Sequence, residues 1–146
     1  MVSIEEIVEM QIRDICEYQV SICVTSYNQI EYISRCIDSL LAQKTSAKYK
    51  IVIGDDYSTD GSREILKWYK EKYPDKIELI LNEANQGLFR NRRKIFERCD
   101  TPYVAFCDGD DYWIDDSCIE LKYSYLQNNC EYIGFFTSCR TEVRGG

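Results

Sequence analysis

The chain has 146 residues, enough for one domain with a single core, and its 45% hydrophobic and 29% charged content is ordinary for a globular protein. A net charge of −7, relieved by one short basic segment at Arg90–Lys94, excludes the extended cationic face that duplex nucleic acid requires. No run nears the roughly 18 to 20 apolar residues that span a bilayer, and the acidic start Met1–Glu6 is unlike a secretory leader. A cytoplasmic protein without an integral membrane segment, at most peripheral to the inner face of the membrane, is expected.

In chain order, Ser3 and Glu6 form a capping-box pattern, and Ile4, Ile7, Val8 and Ile15 recur at helical spacing. Residues 1–17 therefore read as an amphipathic helix ahead of a main domain at 18–146. Val20–Val24 is a β-type run, followed by a helix using Ile30, Ile33, Ile37, Leu40 and Leu41, with Asn28 and Glu31 placed to cap it. Ile51–Ile53 is the second strand, Gly54–Gly61 a polar turn, and Ile65, Leu66 and Tyr69 mark a helix that ends before Pro74. Ile77–Leu81 is a third strand, about 88–98 a helix and Tyr103–Cys107 a fourth strand. A helix at about 116–127 and a last strand near Tyr132–Thr137 complete the chain. Apolar strands alternating with helices over short connections predict an α/β fold, a doubly wound, mostly parallel sheet with helices on both faces.

Eight cysteines are many for this length, but none forms a C-x-x-C pair, and with no histidine the zinc patterns that use it cannot be built. Cys23 and Cys107 lie in apolar runs. Most of the eight are expected to be buried, reduced thiols rather than a disulfide framework.

Ligands of open α/β sheets bind beyond the carboxyl ends of the strands. Three polar segments fall there: Thr25–Asn28, Asp55–Gly61 and Asp108–Asp111. If the backbone stays extended after the fourth strand, Asp108 and Asp110, separated by Gly109, point to one face and can address one ion. Carboxylate oxygens suit Mg²⁺ or Mn²⁺ shared with substrate phosphates, and such an ion would let an acidic loop accept an anionic diphosphate. An acidic surface turn is the ordinary alternative. Asp55 and Asp56 could accept hydrogen bonds from a nucleobase or ribose, or simply serve the turn, with Ser58, Thr59 or Asp60 capping the next helix. An EF-hand beginning at Asp56 fails, because its twelfth position is Lys67. Thr25 and Tyr27 could bond and stack on a base. Arg90, Arg92 and Arg93 could meet phosphates or form a solvated helix face. Neither a G-x-G-x-x-G nor a P-loop sequence occurs, and a Ser-His-Asp or Cys-His mechanism lacks its histidine.

The succession Val20–Asn28, Ile53–Ser62, Asn85–Leu88 and Phe106–Trp113 resembles the family 2 glycosyltransferases of the GT-A fold, over about residues 20–137. The resemblance implies a nucleotide-diphosphate sugar donor, commonly a UDP-sugar, a saccharide or lipid-linked acceptor, and transfer with inversion. By position it puts Thr25 and Tyr27 in the nucleotide pocket and Asp56 on the uracil, with Asp55, Gly109 and Arg90 nearby. It further puts Asp108 at the ribose and metal, Asp110 on the metal, and Asp111 near the donor sugar. It also implies a carboxylate base and a metal-binding histidine further along, neither of which the sequence supplies. Either an acceptor half lies beyond residue 146, or the chain binds donor without transferring sugar. Two other readings are a plain nucleotide-sugar-binding module and a nucleotidyltransferase, the latter disfavoured by Thr25–Asn28 where a Gly- and Arg-rich loop belongs. Self-association, through the N-terminal helix or an uncovered sheet face, is a further expectation.

Overall fold

The computed structural model describes residues 17–134. The helix expected over the first residues lies outside them, as does the 135–137 part of the last strand; Tyr132–Gly134 are not in a strand.

Four parallel strands form one sheet: β1 (Val20–Ser26), β2 (Tyr49–Asp55), β3 (Ile77–Leu81) and β4 (Tyr103–Phe106), in the order β3-β2-β1-β4. Between and after them run α1 (Ile33–Leu41), α2 (Ser62–Lys72), α3 (Leu88–Phe96) and α4 (Cys118–Asn128). The chain steps outward from β1 to β2 to β3, then crosses back through α3 to lay β4 on the other side of β1. That reversal is a topological switch point at the carboxyl ends of β1 and β4, the place where ligands of open α/β sheets bind.

Period-two alternation divides the strand residues between two cores. Ile22, Val24, Ile51 and Ile53 face α1, α2 and α4, packing with Ile33, Ile37, Leu40, Leu66, Tyr69 and Ile119. Cys23 and Val52 face the other way, onto Ile95 of α3. Burial on both faces is why β1 and β2 read as continuous apolar runs.

Several boundaries differ from the sequence reading. β2 extends through Gly54 and Asp55, so the polar turn begins at Asp56. α1 starts at Ile33 with Tyr32 in the cap position and no side-chain cap. Asn28 does not cap it; it adopts a left-handed backbone (φ 52°), and its Oδ1 accepts the Thr59 N–H at 2.8 Å. Asn tolerates that conformation because its short amide bonds locally. α3 stops at Phe96, and α4 begins two residues late. The described cysteines are free thiols. Only Cys23, Cys36 and Cys107 are buried, while Cys99 and Cys118 are half-buried and Cys130 is exposed, fewer than their apolar neighbours in sequence suggested.

Candidate functional site at the carboxyl edge of the sheet

After β4 ends at Phe106, the chain stays zipped to β1: Cys107 N–H donates to Cys23 O (3.1 Å) and Gly109 N–H to Thr25 O (2.9 Å). A Cβ on Gly109 would lie 2.8 Å from Thr25 O and closer still to Gln29 Oε1, so this approach requires glycine. The backbone then turns, with Asp111 N–H donating to Asp108 O (2.8 Å). The extended geometry expected for Asp108–Asp110 is thus not found; a tight turn gathers the acids instead. Partial burial, then the charges of Asp110 and Asp108, push the Asp111 carboxyl above the usual carboxylate range.

Asp108 is held in place. Its Oδ1 accepts the Thr25 hydroxyl at 2.6 Å and the Arg92 guanidinium at 2.8 Å. The sequence drew attention to Arg90, but Arg90 is exposed on α3 and pairs with no acid among the described residues. Helix phase decides between them. Asn91 and Ile95 are the buried, sheet-facing residues of α3, and Arg92 leaves that face toward β4. A helical wheel anchored on Ile95 would have shown this.

The two acids after β2 divide their work. Asp55 is fully buried, and its Oδ2 accepts Arg63 Nε (2.7 Å) and Ser58 N–H (3.1 Å). Asp56, nearly buried, accepts the Gln86 N–H (2.9 Å) and Asn82 Nδ2 (2.9 Å) on Oδ1, and the Gly87 N–H (2.8 Å) on Oδ2. It thereby staples the β3–α3 loop to the end of β2, leaving Oδ2 with one further acceptor direction. Asn82 bonds onward to Asn91 Oδ1, and Asn91 Nδ2 donates to Gly54 O, a buried network that sequence reading missed. Its only signal was an asparagine directly after an apolar strand and another on the sheet-facing side of a basic helix.

Two tyrosines stand exposed at this edge, Tyr27 (49%) and Tyr57 (45%). Tyr57 has φ 69°, a strained conformation for a bulky side chain, of the kind that concentrates at functional sites. Among the described residues, the buried side-chain atoms lacking any partner are Ser26 Oγ, Gln29 Oε1, Asp55 Oδ1 and Arg92 Nε, all on segments that build this edge. Unsatisfied buried groups are rare in cores, and their gathering here fits a surface finished by a polar ligand.

The donor set also fits a hard divalent cation. Asp108, Asp110 and Asp111 offer carboxylate oxygens, and no cation among the described residues pairs with Asp110 or Asp111. No three metal-ligating side chains converge as a ready cage among the described residues. An ion here would therefore complete its shell with substrate oxygens and water.

No helix among the described residues is long and apolar enough to cross a membrane. The chain is similar to an uncharacterised protein of Mycobacterium tuberculosis, 36% identical over 126 residues that cover 86% of this chain and 36% of that protein. It is also similar to the poly(ribitol-phosphate) beta-glucosyltransferase of Bacillus spizizenii, 35% identical over 76% of this chain and 18% of that one. The chain thus spans well under half the length of these relatives. Among solved structures, S. aureus TarS in complex with UDP superposes with a TM-score of 0.69 at 25% identity, covering 77% of this chain and 33% of that one. The same protein has also been solved with UDP-GlcNAc, at TM-score 0.67 and 26% identity, covering 77% and 32%. The family model for glycosyl transferase family 2 matches residues 21–145, and the chain belongs to that family.

Proposed function

We propose that this chain is the donor-binding portion of a glycosyltransferase that takes a nucleoside-diphosphate sugar, a UDP-sugar, with a divalent cation, and transfers the sugar with inversion to a saccharide or lipid-linked acceptor. The observation that carries the reading is the carboxyl edge of β1 and β4, where Thr25 and Arg92 both hold one oxygen of Asp108, two residues before Asp110. The solved complexes of TarS with UDP and UDP-GlcNAc support the choice of nucleotide.

Tyr27 would lie against the base, with Thr25 beside it. The remaining Oδ2 direction of Asp56 would accept a base N–H. Asp108 would take the ribose, and with Asp110 hold Mg²⁺ or Mn²⁺, while Asp111 would face the donor sugar. The bound ion would supply electrostatic stabilisation of charge developing on the departing diphosphate. Arg92, already on Asp108, would keep that carboxylate oriented as the ligand arrives.

Calorimetric titration of UDP with and without Mn²⁺, alongside Asp110→Ala, tests the reading. Binding that needs the metal and is lost in the variant is expected. A folded protein that ignores UDP in both conditions would remove the donor-site assignment.

A further inference from the structure

On the α3 side of the sheet, away from the acidic loop, two thiols meet. Cys23 Sγ of β1 lies 3.3 Å from Cys99 Sγ, just past the C-terminal end of α3. Cys23 is 2% exposed and Cys99 half-buried, so a reagent can reach one sulfur while the other waits behind it. Closing to a disulfide needs the sulfurs to approach by roughly 1.2 Å, to the usual bond length of about 2.05 Å. Cys99 follows the helix end, where one side-chain rotation can supply much of that.

We propose that Cys23 and Cys99 form a reversible dithiol–disulfide site that closes by exchange with a low-molecular-weight disulfide. The difference in access assigns the roles, and the surroundings agree with it. Lys50 Nζ donates to Arg98 O (3.1 Å) and pairs with Asp100 (2.6 Å), placing a cation on the segment that contains Cys99. Cys99 is the sulfur a reagent meets first, and hydrogen bonding with Cys23 and Ser21 and the Lys50 charge favour its thiolate against its own partial burial, whereas burial holds the enclosed Cys23 as a thiol. Cys99 is therefore the attacking sulfur and Cys23 the resolving one.

In the first step the Cys99 thiolate bonds to one sulfur of the small disulfide and expels the other as a thiolate. Cys23 then gives its proton to that thiolate, and its sulfur displaces the second small thiolate from Cys99. Two electrons leave the protein sulfurs, one small disulfide becomes two small thiols, and the proton first lost by Cys99 returns from solvent to the second of them. The new bond would fasten the end of α3 to β1, the elements that carry Arg92 and Thr25. The other close pair, Cys36 and Cys107, has sulfurs 3.9 Å apart and is buried on both sides, with no comparable access.

The test is equilibration of the full chain with defined ratios of reduced and oxidised glutathione, followed by acid quench, alkylation and peptide mapping. The expected result is the loss of both thiols together, a Cys23–Cys99 linked peptide, and its return to thiols in excess reduced glutathione. In Cys23→Ser, Cys99 should instead accumulate as a stable mixed disulfide with glutathione; in Cys99→Ser, Cys23 should stay unmodified. The proposal is overturned if wild-type protein keeps both thiols across the titration. It is equally overturned if Cys99 stops at the mixed disulfide or links to a different cysteine. None of these outcomes depends on donor binding.

Discussion

Arg63 reaches Asp55 from the first turn of α2, and its second nitrogen donates to the Asn82 carbonyl, so one guanidinium ties together β2, α2 and the residue after β3. Because the Asp55 side chain is wholly buried, the pair is costly to split: removing one partner strands a charge out of water. We predict that Arg63→Met destabilises the fold by about 3–5 kcal/mol, and that adding Asp55→Asn recovers part of the loss. Urea unfolding of both variants checks this, and an Arg63→Met midpoint equal to wild type would mean that Asp55 is solvated in solution. Arg92 makes the contrasting case, because both members of its pair with Asp108 are partly exposed. Its effect should appear in binding. Arg92→Ala is expected to weaken metal-dependent UDP binding by about 10- to 100-fold, the range of one charged hydrogen bond, with the melting temperature nearly unchanged. Arg92→Lys should fall between, since it keeps the charge but loses the planar fork. Undiminished affinity in Arg92→Ala would detach Arg92 from the site.

At the scale of elements, α3 is the informative one, since among the described helices it alone covers its face of the sheet. It approaches β2 so closely that a Cβ on Gly54 would lie 2.5 Å from Asn91 Oδ1 and 2.8 Å from two side-chain carbons of Ile95. Gly54→Ala must therefore lift α3, with an expected loss of about 1–3 kcal/mol, read as a lower urea midpoint. An unchanged midpoint would show that the helix can slide without cost. The sequence made the strands and helices of this face legible through their apolar runs. It misled about Gly54, which opens the stretch Gly54–Gly61 and so resembles turn punctuation, yet pairs with Thr25 inside the ladder. A glycine admits a neighbour's close approach as readily as it admits a turn, and local sequence cannot separate the two. The same limit applied at the site. Thr25 and Asp108, which bond to each other, were legible because each lies at the carboxyl end of an apolar strand, whereas Asn82, Asn91 and Arg63 act through partners distant in sequence. The choice of Arg92 over Arg90 needed the helix phase.

For the whole molecule, the remaining question is how α4, which follows the acidic loop, is fastened to the sheet layer. Its core contribution is slight, with Ile119 as its buried residue. Polar contacts do the rest: Gln43 Nε2 donates to Asp115 O (2.8 Å), Gln43 Oε1 accepts Ile119 N–H (3.1 Å), and Lys44 N–H donates to Asp116 O (2.7 Å). Glu120 adds a carboxylate that accepts the Ser46 N–H (2.7 Å) and the Thr45 hydroxyl (2.8 Å). Those bonds, the backbone one foremost, hold its carboxyl down at about 2 against an ordinary 4.5. A depressed folded value sets the sign. The folded state binds the proton less readily than the unfolded chain, so the contribution is complete above about pH 4.5 and is lost as pH falls through about 2. Glu120→Gln cannot titrate, and its deficit relative to wild type should be constant above about pH 5 and shrink as the solution is acidified toward about pH 2. Thermal melts of the two proteins across that window measure the difference. A deficit that does not change with pH would show that Glu120 keeps its proton equilibrium on folding, so that its bonds to Thr45 and Ser46 do not depend on its charge.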